Sequence, residues 1–309
     1  MKNDVIVGFG VQGKKRLKFL NKEKTIIVDP FNKNSHYKYI NDVPKNKYSK
    51  VFICVPDKDK EKIIRYCLLN SKHFLVEKPF PLIKSKKIEF YSRIARSKKL
   101  INYVAYNHRF EPHFEKVKKI LNKNQIGKIY SCKLFYGNGT STLVKNSLWR
   151  DKGLGVISDL GSHLLDLCNY WFNINDENID YINCCRFENR SPDYAKLIFK
   201  QKKILFDLEM TLCMWRNHFS CDILGQKGSI HISSLCKWDE TTLIIRKKVF
   251  PSGLPKEKKY KIKMDDPTWR KEHKYFERLI KKNKVNFIKR DIWMNNIFNK
   301  VKKKLKINV

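Results

Sequence analysis

The 309-residue chain reads as an α/β protein, with an N-terminal doubly wound parallel sheet followed by an α+β domain built on a large, mainly antiparallel open sheet. Three observations predict this. A glycine-rich turn joins a short apolar run to a helical stretch within the first 13 residues. Apolar runs and helical stretches then alternate up to about residue 107. After Ile126-Gly127 the apolar period changes from that of helices to two, the signature of strands with one buried face. The expected domains are 1–107 and 108–309, with the last helix able to pack back on the first domain.

The composition is globular, with 42% hydrophobic and 13% aromatic residues. No run of 18 apolar residues occurs, which excludes a membrane-spanning helix. The N-terminal segment lacks the apolar core and cleavage site of a secretory signal, so a cytoplasmic protein is expected. Nine cysteines, an odd number without any C-x-x-C pair, suit reduced and mostly buried thiols better than disulfides or zinc. The formal charge of +36 is spread along the whole chain and reads as a lysine-coated surface. It argues for attraction of anionic substrates rather than specific nucleic-acid binding, and a basic RNA-binding protein is the weaker reading.

Val5-Ile6-Val7 runs straight into Gly8-Phe9-Gly10-Val11-Gln12-Gly13. A helix is expected over 14–20, then a second strand, Thr25-Ile26-Ile27-Val28, closed by Asp29. This is G-x-G-x-x-G in a Rossmann setting. Gly8 allows the tight turn, Gly10 lets backbone approach a pyrophosphate, and Gly13 permits close helix–strand packing. The N–H groups around Val11 and Gln12 then face the phosphates. Asp29 can accept from ribose hydroxyls and would repel a 2′-phosphate, which favours NAD over NADP, although Lys33 softens that preference.

Further strands are expected at 50–55, 73–76 and 101–105, with helices over about 58–71 and 83–97. The carboxyl ends of these strands carry Pro56, Glu77-Lys78-Pro79 and Tyr106-Asn107-His108-Arg109. In a doubly wound sheet ligands lie beyond those ends, so Gly10, Pro56, Glu77, Lys78 and Asn107 join the expected cofactor contacts.

A second pattern runs from Trp149-Arg150-Asp151 through Gly153-Leu154-Gly155 and Asp159 to Gly161, His163 and Asp166. Asp159 and His163 are four residues apart and share a helix face, with Asp166 three beyond. Leu160, Leu164 and Leu167 give that helix an apolar stripe to bury. The glycine turn, the Glu-Lys-Pro triplet and this pattern, in this order, resemble the Gfo/Idh/MocA oxidoreductase family. Leu154 stands where the family commonly has glycine, which bears on the shape of the loop.

The resemblance implies that Lys78 contacts both the nicotinamide ribose and the reacting oxygen, with Asp159 and His163 as its acid and histidine partners. His163 is then the expected proton acceptor, Lys78 the alkoxide stabiliser and Asp159 an orienting group. It also implies a dimer or tetramer assembled through the open sheet. No metal site is expected, since His108 and His113 lack companion ligands, and structural or substrate-contact roles are expected for both. Two rivals remain: a family-type NAD-dependent glycosidase without net redox change, and a non-catalytic NAD sensor.

In the second domain, strands are expected around 130–136, 181–189, 194–200, 206–212, 219–223, 228–234, 241–250 and 258–264. The stretch 136–147 reads as a connector or as a polar substrate loop, which would bring Asn138, Lys145, Trp149 and Arg150 to a sugar. Tyr106 and Arg109 would approach the same substrate. Such amide and cationic donors suit a sugar, a polyol or a nucleotide sugar. Near the end, Asp266-Pro267-Thr268 is expected to cap a helix with a Trp269, His273, Phe276 and Ile280 stripe, and a final basic helix covers about 290–306.

Overall fold

The computed structural model describes residues 2–81, 83–147, 149–284 and 289–306. The chain divides into two compact units, Met1–Asn107 with Trp269–Asn295, and His108–Thr268 with Asn296–Val309.

The first unit is a parallel sheet of β1 (Asn3–Val7), β2 (Thr25–Val28), β3 (Tyr48–Ile53), β4 (His73–Glu77) and β5 (Asn102–Ala105). Its strand order is β2-β1-β3-β4-β5, and every pairing is parallel. The order reverses between β1 and β3, which makes the carboxyl ends of those strands a topological switch point. Strands buried on both faces need continuous apolar runs, and Val51, Phe52 and Ile53 are fully buried. The crossovers are α1 (Val11–Leu17), α2 (Asp57–Leu69) and α3 (Ser85–Ser97). Helix α1 starts at Val11, ahead of the expected 14, because Gly10 itself serves as the N-cap.

The second unit opens with α4 (Pro112–Asn122), β6 (Ile129–Gly139), α5 (Ser141–Lys145) and α6 (Val156–Phe172). It continues through β7 (Tyr181–Cys185), β8 (Tyr194–Gln201), β9 (Ile204–Thr211), β10 (Cys213–Gly225), β11 (Gly228–Ser233), β12 (Thr241–Lys247) and β13 (Lys256–Ile262). The eight strands run in the order β13-β12-β11-β10-β6-β9-β8-β7, antiparallel except for the β6–β9 pair. Helix α6 covers one face of β6, β8 and β9. The other face is polar and open, with Asp222 beside His231 at 2.6 Å and Ser229 beside the same imidazole at 2.8 Å.

Two expectations are corrected here. Strand β7 stops at Cys185 instead of reaching 189, because the N–H groups of Phe187, Glu188 and Asn189 all turn to the buried carboxylate of Asp193. The 136–147 connector is mostly regular structure, since β6 runs on to Gly139 and α5 follows at once.

The remaining helices are α7 (Thr268–Lys281) and α8 (Lys289–Lys304). Sequence order puts α7 in the second domain, yet Trp269–Asn295 belongs to the first unit. The reason is packing: Phe276 and Leu279 of α7 complete a core with Ile6, Phe52, Leu75 and Tyr103. A sheet between helices must be covered on both faces, and the amphipathic stripe of α7 supplies that cover. Among the described residues no helix is long and apolar enough to cross a membrane. All nine cysteines are free thiols.

Candidate active site

In the first unit the glycine turn meets its steric demands residue by residue. Gly8 has φ +90°, and a Cβ there would lie 2.6 Å from the Cys54 carbonyl oxygen. A Cβ on Gly13 would lie 2.2 Å from the Gly8 carbonyl oxygen, so only glycine lets α1 sit this close to β1. Gly10 is different, because a Cβ there would meet nothing within 4 Å. Its missing side chain serves no internal packing and leaves the backbone open to a visitor. No side chain caps α1, and Val11 and Gln12 of its first turn are exposed. These groups fit a dinucleotide pyrophosphate.

Asp29, at the end of β2, is half-buried. One carboxylate oxygen accepts from the Phe9 N–H at 2.7 Å and the other from the Phe31 N–H at 2.8 Å. The acid therefore pins the glycine turn while its remaining lone pairs stay available to ribose hydroxyls. Pro56 stands at the start of α2, beyond β3, and Lys78 follows the last residue of β4. Asn107 follows β5 and is buried. Gly10, Asp29, Pro56, Lys78 and Asn107 thus share the carboxyl edge of one sheet.

Glu77 does something the sequence did not suggest. Its carboxylate accepts from Arg16 Nε at 2.7 Å, and the same guanidinium reaches Glu272 at 2.7 Å and stacks 4.3 Å from the Trp269 ring. Burial alone would depress the pKa of Arg16, but the two carboxylates overcome it and hold the guanidinium firmly charged. Glu77 is accordingly a brace for the lysine turn, with its side chain turned to Arg16. Tyr106 is fully buried, its hydroxyl 3.0 Å from Met294 Sδ, so it packs inside this unit instead of presenting a hydroxyl at the sheet's edge.

In the second unit α6 carries Asp159, His163 and Asp166. Its start depends on Gly155, at φ +49°, where a Cβ would lie 2.2 Å from the Pro192 carbonyl oxygen. Leu154 beside it is buried, so the departure from glycine there is absorbed by the core. Gly161 brings the helix against β9, since a Cβ would lie 2.7 Å from Met210 Sδ. Asp151 anchors the preceding loop by accepting from the N–H groups of Ser191 at 2.7 Å and Arg190 at 3.1 Å.

His163 is 6% exposed and stacks on His108, with ring centroids 3.9 Å apart and an interplanar angle of 17°. Tyr136 of β6 adjoins both rings. Asp159 and Arg150 are each about one-third exposed and lie 3.4 Å apart. Arg109 spends Nε and Nη2 on the two oxygens of Asp166, each at 2.6 Å, so it braces α6. Asn138 accepts from the Thr140 hydroxyl at 2.7 Å, while Lys145 and Trp149 are exposed. Of the expected substrate residues in this unit, Arg150 pairs with Asp159, and Asp159 and His163 stand one helical turn apart on α6.

His108, expected to serve structure or substrate contact, stacks on His163, while Arg16, which local patterns left without a role, braces Glu77. His108 had a readable signal in its place directly after Asn107 at a strand end, but its stacking partner lies 55 positions away. Arg16 carried none.

The Gfo/Idh/MocA C-terminal domain profile matches residues 114–231. An uncharacterised oxidoreductase of Schizosaccharomyces pombe is 29% identical over 119 residues, which cover 38% of this chain and 31% of that protein. The scyllo-inositol 2-dehydrogenase (NADP(+)) IolW of Bacillus subtilis is 25% identical over 147 residues, covering 42% of this chain and 38% of that protein. The matches therefore span well under two thirds of these relatives. The solved levoglucosan dehydrogenase in complex with NADH and levoglucosan superposes with a TM-score of 0.80 at 15% identity, over 99% of this chain and 97% of that one, a likeness of fold. Residues 114–231 thus match the Gfo/Idh/MocA C-terminal domain, and the ordered motifs and both sheets agree with that likeness.

Proposed function

We propose that the protein is an NAD-dependent dehydrogenase acting on a CH–OH carbon of a sugar, polyol or nucleotide sugar, with Lys78, Asp159 and His163 as its catalytic residues. One observation carries this reading: Gly10, Asp29 and Lys78 stand along the carboxyl edge of a single parallel sheet, and the Cβ position of Gly10 is open. The names of relatives that act on scyllo-inositol and levoglucosan support the substrate class.

A bound nicotinamide would supply a two-electron acceptor for the hydride. His163 Nε2 or Nδ1 accepts the hydroxyl proton, for which a neutral imidazole is suited near pH 7. The Lys78 ammonium stabilises the alkoxide as the proton leaves, and Asp159 with Arg150 orients the substrate hydroxyls. Gly8, Gly10, Val11, Gln12, Gly13 and Asp29 hold the dinucleotide, and Asp29 favours NAD because a carboxylate repels a 2′-phosphate.

The nine free thiols suit a reducing, cytoplasmic setting. The open face of the eight-stranded sheet suits self-association as a dimer or tetramer. Screening NADH formation over sugars, polyols and nucleotide sugars tests the activity. Turnover with one of these substrates is expected, and calorimetric titration showing no affinity for NAD or NADP would end the proposal.

A further inference from the structure

Helix α2 buries Lys60, Ile63, Ile64, Cys67 and Leu68, the spacing of an apolar stripe turned to the sheet. A lysine heads that stripe, where packing alone would be served by leucine. Lys60 is 2% exposed, and its ammonium is saturated: it pairs with Asp57 at 2.7 Å and donates to the carbonyl oxygens of Lys78 at 3.2 Å and Pro79 at 2.9 Å. Those two carbonyls lie past the last ladder pair of their strand, Glu77 with Ala105, so the sheet does not hold them.

We propose that Lys60 is a positioning residue that sets the pose of Lys78 by gripping the backbone on which Lys78 sits. The proposal rests on the assignment of Lys78 given above. Arg16 clamps the side chain of Glu77 and Lys60 clamps the carbonyls of residues 78 and 79, so the lysine turn is held on both sides of its reactive residue. Burying an ammonium is costly, and burial pushes the pKa of Lys60 down against the pull of Asp57. The cost is offset by three acceptors, two of them on the turn that needs fixing.

A double-mutant cycle tests this with Lys60→Met, Lys78→Ala and the pair. Lys60→Met keeps the length of the side chain and removes its N–H groups. It is expected to lower kcat about 10-fold while KM and the NADH dissociation constant stay within about 2-fold, because a small misplacement of a reacting group slows chemistry more than binding. In the Lys78→Ala background the same substitution should add less than about 2-fold, as expected of two residues acting as one unit. An equal loss in both backgrounds would make Lys60 a merely structural residue and overturn the proposal.

Amide hydrogen exchange of the segment 77–80 needs no substrate and judges the grip by itself. It should quicken in Lys60→Met while exchange in β1 and β3 is unchanged, and an unaltered rate at 77–80 also overturns the proposal. Full turnover in Lys78→Ala alone would instead sink the functional reading, so the two failures are distinguishable. If Lys60→Met does not fold, Lys60→Gln, too short to reach both carbonyls, goes through the same cycle, and the same outcomes support or overturn the grip.

Discussion

Arg109 grips Asp166 with two parallel hydrogen bonds, Nε to Oδ2 and Nη2 to Oδ1, both at 2.6 Å. The Asp166 side chain is 2% exposed and that of Arg109 is 12% exposed. The pair ties the short turn after β5 to the helix that carries Asp159 and His163. Removing the arginine would strip a buried carboxylate of its two-pronged cationic partner, a loss of about 3 kcal/mol or more. Arg109→Ala should therefore lower the melting temperature by several degrees in a thermal unfolding scan. Arg109→Lys should recover little, since an ammonium cannot make the two-pronged contact. An unchanged melting temperature in Arg109→Ala would refute the brace.

Gly10 and Gly13 lie three residues apart in one motif, yet their substitutions should differ in kind. Gly13→Ala forces a Cβ to 2.2 Å from a backbone oxygen and should destabilise the first unit outright. Gly10→Ala meets nothing within 4 Å and has an ordinary φ of −74°, so its melting temperature should match that of the wild type. Its affinity for NADH should nevertheless fall about 10-fold or more, because the added methyl stands where backbone approaches the pyrophosphate. Fluorescence titration beside thermal unfolding checks both halves of this contrast.

Lys78→Ala and His163→Ala should each cut turnover about 100-fold, the usual scale for losing a proton acceptor or an alkoxide partner. NADH binding should stay within a few-fold in both variants. Steady-state kinetics on the substrate found by screening, with a parallel NADH titration, provide the measurement. Wild-type turnover in both would remove these residues from the chemistry.

Asp151 should make the stability of the second unit depend on acid. Burial pushes its pKa up, but the N–H groups of Ser191 and Arg190 prevail and leave it below the ordinary 3.8. A carboxylate depressed in the folded state contributes stability that is fully present above its unfolded pKa and is lost as pH falls through the folded value. The loss should thus develop below about pH 4, and Asp151→Asn should flatten that part of the stability–pH curve. Parallel acid limbs for the two proteins in denaturant titrations would contradict this.

Much of the first unit was legible in order along the chain. The turn at Gly8, Gly10 and Gly13 needs only its flanking strand and helix to be recognised, and the placement of Asp159 and His163 one turn apart on α6 follows from their spacing. Each depends on residues within a few positions of one another, so chain geometry alone brings them together. The extent of β7 was misread because Asp193 takes the N–H groups that would have continued the strand.

What the amino-acid order determined by itself was therefore the succession of elements and the glycine turn. Only the tertiary structure decided what holds them. Arg16 meets Glu77 across 61 positions, Arg109 meets Asp166 across 57, and α7 returns from residue 268 to cover the first sheet. A charged side chain reads as a solvated surface residue until folding removes its water. Its partner is then whichever opposite charge or carbonyl the packing of the core brings within hydrogen-bonding reach, and no local period in the chain encodes that choice.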